Sequence, residues 1–139
     1  SDAQQFIGEG ADVIIGAGGL TGSGGVSAAT QQGVWGIGVD QDEYFSTFDG
    51  GAAPGSEYLA SSAVKRVDLG VFTQIVNALK GEFAGGIFSL TAENGGITYA
   101  PPHDAAVTDA ALAAVEAARA GLADGSITTG LDPATGLPL

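Results

Sequence analysis

The sequence predicts an α/β fold built on a mainly parallel sheet, and three observations carry that prediction. Ala11–Ile15 is a short apolar run rich in β-branched residues, followed by a glycine run and then by a second apolar run, Val34–Val39. Such runs read as buried strands, and the spacing between them leaves room for one helix. Further on, apolar residues recur at helical spacing at Val64, Val67, Val71, Ile75 and Leu79. An alanine-rich stretch ending near Gly125 repeats the helical pattern. Strands that alternate with helices at this spacing form layered parallel structures.

Each element has a local reason. Gln4–Gly10 reads as the end of a helix, with Gly8 or Gly10 at its C-terminus. Ala11–Ile15 is the first strand. Val26–Gln32 is expected as a short helix behind the glycines, stopped by Gly33. Val34–Val39 is the second strand, with Asp40 at its carboxyl end. Tyr44–Ser56 is expected as a long loop and Glu57–Ala60 as a third short strand. Ser61 or Ser62 would cap the next helix, which ends at Gly81. Gly85–Leu90 and Gly96–Ala100 are expected as two strands joined by a turn at Glu93–Gly96. Asp104 or Thr108 would cap the last helix, with Ala111, Val115, Ala118 and Leu122 facing inward. Thr128–Leu139 is turn-rich, and its order is expected to depend on contact with something else.

Length and composition bound the function. The chain has 139 residues, 45% of them hydrophobic, which suits one globular domain. No apolar run approaches the roughly 20 residues that span a bilayer. The sequence holds no methionine, so a processed chain or a fragment of a longer one is expected. The net charge is −12, with only Lys65, Arg66, Lys80 and Arg119 basic. Such a surface repels phosphate backbones, so no nucleic-acid partner is expected. Anionic membranes are disfavoured on the same ground, and a neutral or cationic small ligand suits the field better. With no cysteine, disulfides, thiolate catalysis and zinc–thiolate sites are excluded.

The glycine run Gly16-Ala-Gly-Gly-Leu-Thr-Gly-Ser-Gly-Gly25 is not a P-loop, because no Lys-Ser/Thr pair follows. It departs from the dinucleotide fingerprint at Thr21, where the third glycine belongs. Five glycines in the eight residues Gly18–Gly25 exceed what a strand-to-helix turn needs. They point to backbone that approaches a flat ligand closely. Asp40, Asp42 and Glu43 form an acidic cluster at a strand's end. A carboxylate there can accept hydrogen bonds from two sugar hydroxyls. A magnesium site for phosphoryl transfer through Asp40 and Asp42 is the enzymatic alternative. Asp42 and Glu43 are otherwise expected to be solvated loop acids. Lys65 is placed at a helix start, where a cation opposes the helix dipole and therefore calls for a partner such as Asp40 or a ligand. Arg66 is expected at the surface and Trp35 in core or rim packing. His103 is expected to be a plain loop histidine, since no nucleophile accompanies it in a triad pattern.

Taken in order, Ala11-Asp-Val-Ile-Ile, Ala17-Gly-Gly-Leu-Thr-Gly-Ser-Gly, Ala28-Ala, Ile37-Gly-Val-Asp-Gln-Asp, Ser62-Ala-Val-Lys-Arg-Val-Asp, Gly81-Glu-Phe-Ala-Gly-Gly and Asn94-Gly-Gly-Ile-Thr-Tyr resemble the basic membrane protein family. These are the substrate-binding lipoproteins of ABC importers, among them the PnrA-like purine nucleoside receptors. The resemblance implies a type I periplasmic-binding-protein lobe, a three-layer sandwich around a mainly parallel sheet. It implies that residues 1–139 are a C-terminal lobe, with an N-terminal lobe, a lipid-anchor cysteine and ring-stacking aromatics upstream of Ser1. The protein would then be extracytoplasmic and membrane-anchored, and would partner an ABC permease. By the same resemblance Asp40 and Lys65 would hold ribose hydroxyls and Gly18 would lie against a nucleoside. No cofactor and no catalysis are implied. The loop Glu43–Ala60 and the segment Ile97-Thr-Tyr depart from the family's pattern. A sensory domain of the same fold is the alternative to a transport receptor, and a homodimer of the lobe is an expected possibility.

Overall fold

The computed structural model of the protein describes residues 2–132 and 135–139. The chain forms two compact units: Ser1–Val64 with Tyr99–Asp109, and Lys65–Thr98 with Ala110–Leu139. The elements are α1 (Asp2–Gly8), β1 (Val13–Ile15), α2 (Gly19–Thr30), β2 (Trp35–Asp40), α3 (Glu43–Ser46), β3 (Leu59–Lys65), α4 (Val67–Lys80), β4 (Ile97–Tyr99) and α5 (Asp109–Asp124). The sheet order is β1-β2-β3-β4, and β1, β2 and β3 pair in parallel. The α/β class with a mainly parallel sheet is as the sequence predicts.

In the first unit the glycines of β2 explain the packing. Gly36 and Gly38 lie on the same face of the strand, two residues apart. A Cβ on Gly36 would come within 2.7 Å of Thr30 and 2.8 Å of Val26, both on α2. Side chains are therefore absent where α2 lies down on the sheet. A small core of Val26, Phe48 and Leu59 forms there, with Tyr44 and Ala53 packed against it. The segment between α3 and β3 is not an open loop. It holds 3-10 turns at Asp49–Gly51 and Ser56–Tyr58, and Phe48 inside it is fully buried. Trp35 meets Tyr58 edge-on at 5.6 Å, as rim packing.

Several boundaries differ from the sequence expectation. α2 starts at Gly19, inside the glycine run, not at Val26. β1 is an edge strand with Val13 and Ile15 exposed, Ile15 to 62%, and not a buried one. β3 starts at Leu59 and runs to Lys65, so Ser61 and Ser62 are strand residues and not helix caps. Gly85–Leu90 forms no strand, whereas the turn before β4 is present.

In the second unit α4 carries the expected stripe from Val67 on, whereas Val64 belongs to β3, and the apolar stripe is open. Val67, Val71, Ile75 and Leu79 are all exposed, Leu79 to 84%, and Gly70 is the buried residue of the helix. α5 likewise buries Gly121, while Val115 and Leu122 stay exposed. Helical spacing marks which residues share a face; it does not supply the surface that covers it. Part of the turn-rich tail, Pro133 and Ala134, lies outside the described residues; Leu131 and Pro138 form an antiparallel bridge.

Candidate ligand-binding edge

The carboxyl ends of β1 and β2 lie side by side, since Ile15 pairs with Ile37 and the Gly16 N–H donates to Ile37 O at 3.0 Å. In open parallel sheets this edge is where ligands bind. The glycine run that leaves it serves two different ends. A Cβ on Gly16 would reach to 2.5 Å of Val26, and one on Gly22 would run into the Gly16 carbonyl oxygen. These two glycines let α2 cross the end of β1. Gly18 is different. It is exposed, it N-caps α2 without a side-chain bond, and a Cβ there would make only ordinary contacts, the nearest at 3.5 Å. It lines a cleft of about 330 Å³ together with Phe6, Ile15, Ala17 and Thr21. The larger grooves of the second unit, about 430, 450 and 510 Å³, contain none of the predicted site residues.

Asp40 is the last residue of β2 and is exposed there. It pairs in register with Val64 of β3. Its φ is +78°, a left-handed conformation that costs a non-glycine residue roughly 1 kcal/mol or more. Asp and Asn tolerate it best, and strained backbone of this kind concentrates at functional sites.

The residues after Asp40 hold the turn. Asp42 caps α3 by accepting the Tyr44 N–H at 3.1 Å. Its other oxygen lies 2.8 Å from Nε2 of His103, whose side chain is 19% exposed. The His103 ring stacks on Tyr44 with centroids 4.0 Å apart and meets Phe45 edge-on at 5.3 Å. Tyr44 in turn donates its hydroxyl to Asp104 at 2.8 Å. That hydrogen bond, burial and the negative charges of Asp104 and Asp42 raise the Tyr44 phenol above its ordinary range. Gly51 leaves room for this contact, since a Cβ there would crowd both the Tyr44 hydroxyl and Asp104. His103 is therefore not a plain loop histidine, and Asp42 is not merely a solvated acid.

Glu43 departs furthest from expectation. It is 2% exposed. Its Oε1 accepts the Val39 N–H at 3.2 Å and the Ser23 hydroxyl at 3.1 Å, and its own N–H donates to Ser62 Oγ at 3.1 Å. Oε2 is buried with no hydrogen-bond partner among the described residues. A Cβ on Gly38 would lie within 2.7 Å of the Glu43 chain, so that glycine makes room for it.

Lys65 is the last residue of β3, exposed, and not at a helix start. α4 begins at Val67 behind Arg66, so the helix-dipole argument for Lys65 falls and its place at a strand's end stands instead. Arg66 is at the surface, as expected, and pairs with Asp68 at 2.7 Å; this contact draws the Asp68 carboxyl down to about 2. No group of three or more metal-ligating side chains stands together among the described residues.

The first unit is thus an α/β layer with a glycine-capped helix and an acid-bearing turn at one sheet edge. The chain belongs to the Bmp family, described as ABC transporter substrate-binding protein PnrA-like, which matches residues 1–108. Two solved structures share the fold. A transcriptional activator of the comK gene from Bacillus halodurans superposes with a TM-score of 0.76 at 18% identity. A solute-binding protein of an ABC transporter system from Aeropyrum pernix K1 superposes with a TM-score of 0.66 at 24% identity. Each match covers 91% of this chain, which spans 41% and 42% of those chains respectively. No curated protein matches the sequence.

Proposed function

We propose that the chain is the C-terminal lobe of an extracytoplasmic, membrane-anchored receptor that delivers purine nucleosides to an ABC permease. The observation that carries this is Asp40. It is an exposed carboxylate held in a left-handed turn at the carboxyl end of a parallel strand, in a chain of the substrate-binding family. Asp40 and Lys65 would hold the ribose hydroxyls, and Gly18 would lie against the nucleoside. A carboxylate accepting two hydroxyls gains about 1.5–3 kcal/mol from each charged bond. A second lobe would close over the ligand, and binding would favour the closed state because the ligand touches both.

The neighbour described as a transcriptional activator keeps a sensory role as the second reading. At 18% identity it supports the shared fold alone, so transport remains the preferred reading. Phosphoryl transfer through Asp40 and Asp42 has less support. Both Asp42 oxygens already have partners, Tyr44 and His103. The deciding experiment is a thermal-shift panel of nucleosides and sugars on the two-lobed protein. A purine nucleoside should give the largest shift, and Asp40→Ala should abolish it. A sugar without a base as the best hit would remove the nucleoside assignment.

A further inference from the structure

We propose that Glu43 is the positioning residue that sets Asp40 for the ligand, an inference that rests on reading Asp40 as the ribose-binding carboxylate. The strand geometry shows why such a residue is needed. The Trp35 N–H donates to Asp12 O and the Ile37 carbonyl accepts from Gly16, so these residues turn their peptide groups toward β1. Alternation along the strand sends the Val39 N–H to the same side. β1 has ended by then, since Ile15 is the partner of Ile37. The last amide before Asp40 therefore has no strand to donate to.

Glu43 fills that place. Its side chain folds back over Gly38, and Oε1 accepts the Val39 N–H. The same oxygen accepts Ser23 of α2, and the Glu43 N–H donates to Ser62 of β3. One residue thus ties the glycine-rich helix, the end of β2 and β3 together directly behind the turn at Asp40. A neutral small residue at position 43 would leave the Val39 N–H and the Ser23 hydroxyl without this acceptor. Position 40 would then be free to relax from φ +78° toward ordinary backbone. The carboxylate of Asp40 would remain in the chain but lose its fixed aim.

The test compares Glu43→Ala, Glu43→Gln and the unaltered two-lobed protein in two readouts. The first is the affinity ratio for adenosine over 3′-deoxyadenosine, measured by calorimetry. A carboxylate aimed at the ribose should give a ratio of about 10 or more. Glu43→Ala should bring it to within about twofold, whereas Glu43→Gln, which keeps an oxygen for both donors, should retain it. The second readout needs no ligand. Amide hydrogen exchange at Val39 should speed up by about 10-fold or more in Glu43→Ala, while Ile37, in the β1 ladder, stays protected. An unchanged ratio together with unchanged Val39 protection in Glu43→Ala would overturn the inference. A ratio near one in the unaltered protein would instead overturn the nucleoside reading, with the exchange result standing by itself. Should Glu43→Ala fail to fold, Glu43→Asp decides. One methylene shorter, it should speed exchange at Val39 and lower the ratio while keeping the charge, and no change in either would overturn the proposal.

Discussion

Two glycines of α2 lie two residues apart and should respond to the same substitution with opposite signs. Alanine is better than glycine in a helix by about 0.8–1.0 kcal/mol. Gly24 is exposed and a Cβ there meets nothing within 4 Å. Gly24→Ala should therefore stabilise the protein by about that amount. Gly22 has the same intrinsic preference, but its Cβ would strike the Gly16 carbonyl oxygen and lie 2.7 Å from the Gly16 carbonyl carbon. Both obstacles are backbone, so neither can rotate away. Overpacking of this kind costs typically about 1–3 kcal/mol, and a rigid obstacle belongs at the upper end. Subtracting the helical gain leaves a net loss of about 2 kcal/mol. For a chain of this size 1 kcal/mol moves the Tm by roughly 3–4 °C. Thermal unfolding followed by circular dichroism should show Gly24→Ala up by about 3 °C and Gly22→Ala down by about 7 °C. If Gly22→Ala were as stable as Gly24→Ala, α2 would not cross β1 as closely as described.

Gly18→Ala separates ligand contact from packing. Its Cβ would make only ordinary contacts, so packing should be undisturbed and the exchange of a glycine N-cap for alanine should cost no more than about 1 kcal/mol while nucleoside affinity falls. A large loss of Tm would show that Gly18 is a packing glycine. The Tyr44 phenol has its pKa raised in the folded state, chiefly by its bond to Asp104. Its contribution to stability is thus complete below the unfolded value near 10 and is lost as pH rises through the higher folded value. Tyrosinate absorbance should place Tyr44 above pH 10, and Asp104→Asn should bring it back down; no movement would refute the coupling. The 139-residue chain alone should bind purine nucleosides no tighter than about millimolar, roughly −4 kcal/mol, and micromolar calorimetry would contradict the need for a second lobe.

Much of the first unit was legible in the sequence because its signals are local. The β-branched run before the glycines and the apolar run Val34–Val39 located β1 and β2, and Asp40 was placed at a strand's end from those runs alone. What could not be read were contacts across long separations. His103 and Asp42 are 61 residues apart, and no spacing rule joins them. The buried Glu43 looked like one more acid in an exposed cluster. A signal was present in Gly38, whose missing side chain makes the room for Glu43, but only coordinates show which neighbour fills that room. Lys65 was misplaced because Ser61 and Ser62 carry cap chemistry, and in β3 the sheet uses those hydroxyls otherwise. Ser61 donates to Ala100 O and Ser62 accepts from Glu43. The stripe on α4 is one face from Val67 to Leu79, without the Val64 that the spacing had added, yet it is exposed, because periodicity reports amphipathicity and not what lies opposite.

The measurement closest to the central claim is calorimetry of purine nucleosides on the two-lobed protein and on its Asp40→Gly variant. Glycine accepts φ +78° without strain, so the substitution removes the carboxylate and leaves the turn intact. Two lost charged hydrogen bonds at about 1.5–3 kcal/mol each predict an affinity loss of roughly 100-fold or more. Nucleoside binding that survives Asp40→Gly would contradict the assignment of the ligand to this edge of the sheet.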